Sequence, residues 1–233
     1  MTDIRQEVFD RMPGQDIAAP NEPHLACVLL LDTSDSMTGK PIESLNEALI
    51  KFKEQTSLDE LCRKRLDIAI VEFNSQVRVV QDFVPLTKFE PPRLEAHGLT
   101  SMGAGINLAI DLVKERNRFY DQMGTPVHKP WIFMITDGAP TDDIEDAKKR
   151  IQEEESKGSH GKLKFWAIGV KPNYDKELLT SLTERCIEID TANFEGIFNW
   201  LSESMALMSR SRVGENPQLD MLPEGSRIIP GDW

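Results

Sequence analysis

Leu25-Ala26-Cys27-Val28-Leu29-Leu30-Leu31-Asp32-Thr33-Ser34-Asp35-Ser36 decides how this chain is read. Its unbroken apolar run, Leu25 to Leu31, fits a central strand of a parallel sheet, which is covered on both faces and so shows no alternation. Where the run ends, one carboxylate and two hydroxyls recur at alternate positions: Asp32, Ser34 and Ser36. In open α/β sheets, ligands bind in the crevice outside the carboxyl ends of the strands. Oxygen-only side chains at that place suit a hard cation such as Mg²⁺.

The residues on either side extend the same pattern. Pro41 is placed for the first turn of a helix, and Ile42, Leu45, Leu49 and Phe52 mark one face of it. Residues 66–73 read as a second strand, which Asn74-Ser75 turns into a third over 77–83. So short a link implies an antiparallel hairpin at the sheet edge. A polar, proline-bearing loop over 85–98 delivers Leu99-Thr100-Ser101 to a helix over about 104–120. A strand over 131–136 then ends in Asp137-Gly138, followed by a helix over 142–155 and a strand over 165–170. A short helix (175–182), a strand (186–189) and a helix (194–208) carrying Ile197, Leu201, Met205 and Met208 on one stripe complete the series. This order predicts a doubly wound α/β fold, with a six-stranded, mostly parallel sheet, one antiparallel edge strand and helices on both faces.

With 233 residues, 39% of them hydrophobic, the chain supplies one sizeable core. The unbroken alternation predicts a single domain over 23–209, an N-terminal extension over 1–22 and a tail over 210–233. The extension holds a short helical pattern (Ile4, Val8, Phe9, Met12) that Pro13-Gly14, Pro20 and Pro23 interrupt. In the tail, Ile228-Ile229 and Trp233 stand as isolated apolar anchors, for packing on the core or for a partner. A net charge of −12, from 39 acidic against 27 basic residues, argues against nucleic acid or an anionic membrane as the main partner. No run approaches the ~18 to 20 apolar residues of a membrane span. The stretch Met1 to Glu7 has no apolar segment of the signal-peptide kind. Cys27, Cys62 and Cys186 are odd in number and lack metal-type spacing, so free thiols in a reducing, cytoplasmic compartment are expected.

In a doubly wound sheet, the strands ending at Asp32 and Asp137 flank the reversal of strand order, and the Thr100 loop lies at the same end. Asp32, Ser34, Ser36, Thr100 and Asp137 are therefore candidate ligands of one metal site drawn from three segments. Singly, each has a plainer reading as a turn or cap residue, but those readings predict no convergence of distant segments. Thr141-Asp142-Asp143 either adds ligands or caps the helix that follows. Asp142-x-x-Glu145 resembles a capping box, which favours the second. Gly98 to Gly103 has the glycine spacing of a phosphate loop without its lysine, which argues against a nucleotide. The histidines at 24, 97, 128 and 160 show no close pairing and carry no catalytic signal.

Asp-x-Ser-x-Ser at 32–36, Thr100 opening a helix and Thr-Asp-Gly at 136–138 resemble the metal-ion-dependent adhesion site of a von Willebrand factor A domain, over roughly residues 24–208. The resemblance implies that Ser34 and Ser36 bind the metal directly, Thr100 directly or through water, and Asp32 and Asp137 mostly through waters. It implies Mg²⁺, with Mn²⁺ or Ca²⁺ as alternatives, and a protein partner whose acidic side chain completes the shell. A shell of neutral hydroxyls and water leaves most of a dication's charge uncompensated, so a partner's carboxylate makes a strong sixth ligand. Asp35 stands where glycine is more usual; its charge either tightens metal binding or disfavours an acidic partner.

Leu29 to Ser34, Gly39 to Glu43 and Thr136 to Asp143 are similar to TerY-like cytoplasmic proteins of bacterial tellurium-resistance gene clusters. That similarity implies a non-enzymatic interaction module of a tellurite, toxic-anion or stress-response system, with kinase or phosphatase partners. The reading from another class is a metal-dependent phosphoesterase. Against it, the sequence offers no acidic pair placed as nucleophile and acid, no lysine in a matching strand-end motif and no ligands for a second metal. A third reading, an exported adhesion domain, is opposed by the missing signal-peptide stretch and the free cysteines.

Overall fold

The apolar run forms strand β1 (Leu25–Asp32), buried along its whole length at the middle of the sheet. The computed structural model describes residues 17–155, 162–190, 193–215, 217–219 and 221–229. The helical pattern expected at residues 4–12, His160 and Trp233 lie outside them. After β1 come α1 (Lys40–Thr56), the short α2 (Glu60–Arg65), and the strands β2 (Leu66–Phe73) and β3 (Val77–Pro85). Helix α3 (Met102–Met123) leads to β4 (Trp131–Thr136), α4 (Glu145–Glu155) and β5 (Lys164–Val170). The chain continues through α5 (Lys176–Leu182), β6 (Cys186–Ile189), α6 (Phe194–Arg210) and β7 (Ser226–Ile228).

The sheet runs β3-β2-β1-β4-β5-β6-β7, so the strand order reverses between β1 and β4. Those two strands are parallel neighbours, with Leu31 beside Ile135. The expected β2–β3 hairpin forms one antiparallel edge, and the sheet has two such edges rather than one. The sheet is seven-stranded rather than six-stranded, because β7 pairs antiparallel with β6 at the other edge. Three residues inside a polar segment are too few to show a strand's alternation, which is why the sequence conceals it. Ile229, just beyond, is the buried anchor, whereas Ile228 is exposed.

Why β1 reads as continuously apolar is visible in its packing. Leu25, Cys27, Leu29 and Leu31 face the core under α1 and α6, and Ala26, Val28 and Leu30 face the core under α3 and α4. Both faces exclude water, so every position is selected for burial. Cys27, Cys62 and Cys186 are all buried free thiols. Among the described residues no helix is long and apolar enough to cross a membrane.

The capping box expected at Asp142 does not form. Helix α4 starts at Glu145, where the Asp143 carboxylate accepts from the Glu145 N–H at 3.0 Å. The Asp142 carboxylate instead accepts from the Gly103 N–H (3.1 Å) and the Ala104 N–H (2.9 Å), in the first turn of α3. It therefore caps a helix some forty residues earlier in the chain, where a negative charge meets free amides and the positive end of the helix dipole.

Candidate metal centre

Asp32 ends β1 and is fully buried, and its two oxygens are both engaged. Oδ1 accepts from the Ser34 N–H at 2.9 Å, the local turn that aspartate favours. Oδ2 accepts from the Thr136 hydroxyl at 2.5 Å. One further step of the β1–β4 register, past Leu31 and Ile135, sets these two residues side by side. After Asp32 a short 3-10 turn, Asp35–Met37, is anchored by the buried Met37. The turn brings the Ser36 hydroxyl to 3.0 Å from the Ser34 hydroxyl and lets it donate to Asp137 Oδ1 at 2.5 Å. Thr100 reaches the same place from the loop before α3. A Cβ on Gly138 would lie 3.5 Å from Ser36 Oγ and 3.8 Å from Thr100 Oγ1, so both hydroxyls flank that glycine. The loops also hold one another: the Thr100 N–H donates to the Thr141 hydroxyl (3.1 Å), and the Thr141 N–H to the Thr100 carbonyl (2.9 Å).

The structure thus brings Asp32, Ser34, Ser36, Thr100 and Asp137 to one point at the reversal of strand order. Ser34, Asp32, Thr100 and Asp137 are buried and Ser36 is exposed, so the cluster opens on the Ser36 side. Burial pushes the Asp32 carboxyl above its ordinary range, outweighing the hydrogen bonds from Ser34 and Thr136 that favour the charged form. Burial raises Asp137 likewise, against the hydrogen bond from Ser36. A cation is the natural counterweight to two carboxylates desolvated side by side. The donors fit a hard one. They are all oxygen, and an octahedral ion with ligands at about 2.1 Å sets adjacent oxygens about 3.0 Å apart. That is the Ser34–Ser36 separation. Among the described residues no group of three or more His, Cys, Asp or Glu side chains is placed to hold a metal, so a site here depends on hydroxyls.

Asp35 does not face the cluster as its neighbours do. Its carboxylate accepts from the Gly98 N–H at 2.8 Å, and its own N–H donates to the Gly98 carbonyl at 2.9 Å. Thr136, Thr141 and Asn74 also support the site: the sequence marked Thr136 only as part of the Thr-Asp-Gly motif and Thr141 only as a ligand or cap, and it singled out Asn74 only as a turn residue. The buried Asn74 side-chain amide donates to the Thr33 hydroxyl (3.0 Å), and the Asn74 backbone carbonyl accepts from the Ser101 N–H (2.8 Å). The signal that could have found Thr136 is register: a polar residue at the end of one central strand beside a buried carboxylate at the end of the next.

A doubly wound sheet with hydroxyls and two carboxylates gathered at its switch point defines a class of metal-site α/β domains. Within that class, the family model of the von Willebrand factor type A domain matches residues 27–195, and the chain belongs to that family. No curated protein matches the chain in sequence. Several solved structures share the fold. A von Willebrand factor type A protein from Catenulispora acidiphila is 18% identical, with a TM-score of 0.55 over 78% of this chain and 43% of its own. Proximal thread matrix protein 1 from the mussel byssus is 13% identical, with a TM-score of 0.55 over 81% of this chain and 49% of its own. The same mussel protein with a zinc-occupied MIDAS motif is 16% identical, with a TM-score of 0.55 over 83% and 47%. The chain spans less than half the length of each.

Proposed function

We propose that this chain is a metal-dependent protein-interaction module rather than an enzyme. Ser34, Ser36 and Thr100, with Asp32 and Asp137, hold Mg²⁺ (Mn²⁺ or Ca²⁺ as alternatives), and an acidic side chain of a protein partner completes the shell. The observation that carries this is the Ser34–Ser36–Asp137 chain of contacts, which joins segments 101 residues apart at an open mouth. The zinc at the mussel protein's motif supports a divalent ion here, and the all-oxygen donors favour Mg²⁺ over zinc. When bound, the ion supplies uncompensated positive charge at the mouth, which is what a carboxylate from another protein seeks. The interaction domain is assigned to 23–209, flanked by 1–22 and 210–233. A cytoplasmic setting in a bacterial tellurite, toxic-anion or stress-response system, with kinase or phosphatase partners, is supported by the motifs at 29–34, 39–43 and 136–143.

The test is affinity purification from the native cell with wild-type and Ser34→Ala protein, each with and without EDTA. The expected outcome is a set of partners lost in the variant and lost again on chelation. An unchanged partner list in both arms overturns the reading.

A further inference from the structure

The loop beside the metal site is fixed to an unusual degree. His97, Gly98, Leu99, Thr100 and Ser101 each commit the backbone N–H to a different group. The acceptors are the Thr33 carbonyl (2.8 Å), the Asp35 carboxylate (2.8 Å), the Ser75 hydroxyl (2.8 Å), the Thr141 hydroxyl (3.1 Å) and the Asn74 carbonyl (2.8 Å). Gly98 takes φ +78°, and a Cβ there would sit 2.4 Å from the Ser75 hydroxyl oxygen, so this turn requires glycine. The backbone is thereby held by three separate segments of the chain, around residues 33–35, 74–75 and 141. Yet Leu99, the residue before Thr100, is 60% exposed.

A single exposed leucine is ordinary. A leucine on a backbone with every neighbouring amide pinned, beside a site meant for a partner, is an anchor whose backbone ordering entropy has already been lost in folding. We propose that Leu99 is the specificity-determining residue of this site and Asp35 the positioning residue that holds it. Together they select a partner segment whose metal-binding carboxylate is accompanied by a large apolar side chain within a few residues. The inference rests on the metal-dependent interaction proposed above. It also gives Asp35 a task distinct from metal binding: its carboxylate is an acceptor for the loop.

The test uses the full chain loaded with Mn²⁺ and two sets of nine-residue peptides. Both sets carry a central Glu; one is flanked by Leu or Phe, the other by Ser. Wild-type protein is expected to bind the apolar set about tenfold more tightly, the range one partly covered leucine supplies. Leu99→Ser brings that ratio close to one, and Leu99→Met restores it. Asp35→Ala lowers the ratio, while Asp35→Asn, whose amide oxygen still accepts from Gly98, keeps it. Equal binding of the two sets by wild type, or no binding of either, overturns the inference, as does an unchanged ratio in Leu99→Ser. Loss of the ratio in Asp35→Asn overturns the positioning role of Asp35. Mn²⁺ binding to wild-type protein alone, followed by its paramagnetic signal, tests the reading beneath: if no ion binds, that reading fails first. If the ion and Glu peptides bind without apolar preference, only the inference fails.

Discussion

Asp142 shows how the site is held together one residue at a time. By capping α3 from the loop after β4, it ties the Thr100 segment to the Asp137 segment independently of any metal. Asp142→Ala is expected to lower stability by about 1 kcal/mol, the usual value of a helix N-cap. A urea midpoint unchanged from wild type would contradict that role. Four of the candidate ligands, Asp32, Ser34, Ser36 and Asp137, were legible in the sequence because they are polar where a strand pattern stops, and Thr100 because a polar loop delivers it to the start of a helix. Asp142 was not, because sequence shows only the helix that follows it, and the amides it satisfies lie on α3. Thr136 was visible as part of the Thr-Asp-Gly motif, but its hydrogen bond to Asp32 was not, because at the end of an apolar strand a threonine reads as one more β-former until the neighbouring strand is known.

At the scale of elements, α6 illustrates what periodicity reveals and what it omits. The stripe Ile197, Leu201, Met205, Met208 is buried as its spacing requires, but so are Phe198 and Trp200, which lie off it. The buried arc is wider because α6 meets both α1 and the aromatic side chains of the sheet. Trp200 stands edge-on to Trp166 at 5.1 Å and to Phe133 at 6.2 Å, while Phe133 and Trp166 stack at 5.5 Å. Such pairs contribute beyond the area they bury. Trp200→Ala is expected to destabilise the fold by about 3–5 kcal/mol. Chemical denaturation measures it, and a loss below 1 kcal/mol would mean that α6 is held elsewhere. The pattern of β1 and β4 was fully legible because two-sided burial leaves an unmistakable run. The pattern of β7 was not, since its place is set by pairing with β6 and not by its own composition.

On the scale of the whole molecule, the late edge of the sheet is fastened by charge. Burial alone would raise the Glu188 carboxyl, but hydrogen bonds from Tyr174, Lys171 (3.0 Å) and Arg227 (2.8 Å) reverse this and bring it to about 2 from its ordinary 4.5. The folded protein thus binds that proton less readily than the unfolded chain does. The contribution is fully present above pH 4.5 and is lost as pH falls toward 2. Wild-type protein should exceed Glu188→Gln in urea midpoint at neutral pH, with the gap closing on acidification through that window. A gap that stays constant would refute the linkage. The doubly wound order has a different consequence, in time rather than in energy. Because Ser36 and Asp137 are separated by 101 residues, a growing chain completes β1, β2 and β3 well before it makes β4. A nascent chain then shows half of the cluster and cannot assemble the other half until translation has passed Asp137. The partner capture proposed for this site is therefore reserved for molecules whose sheet has closed around β1.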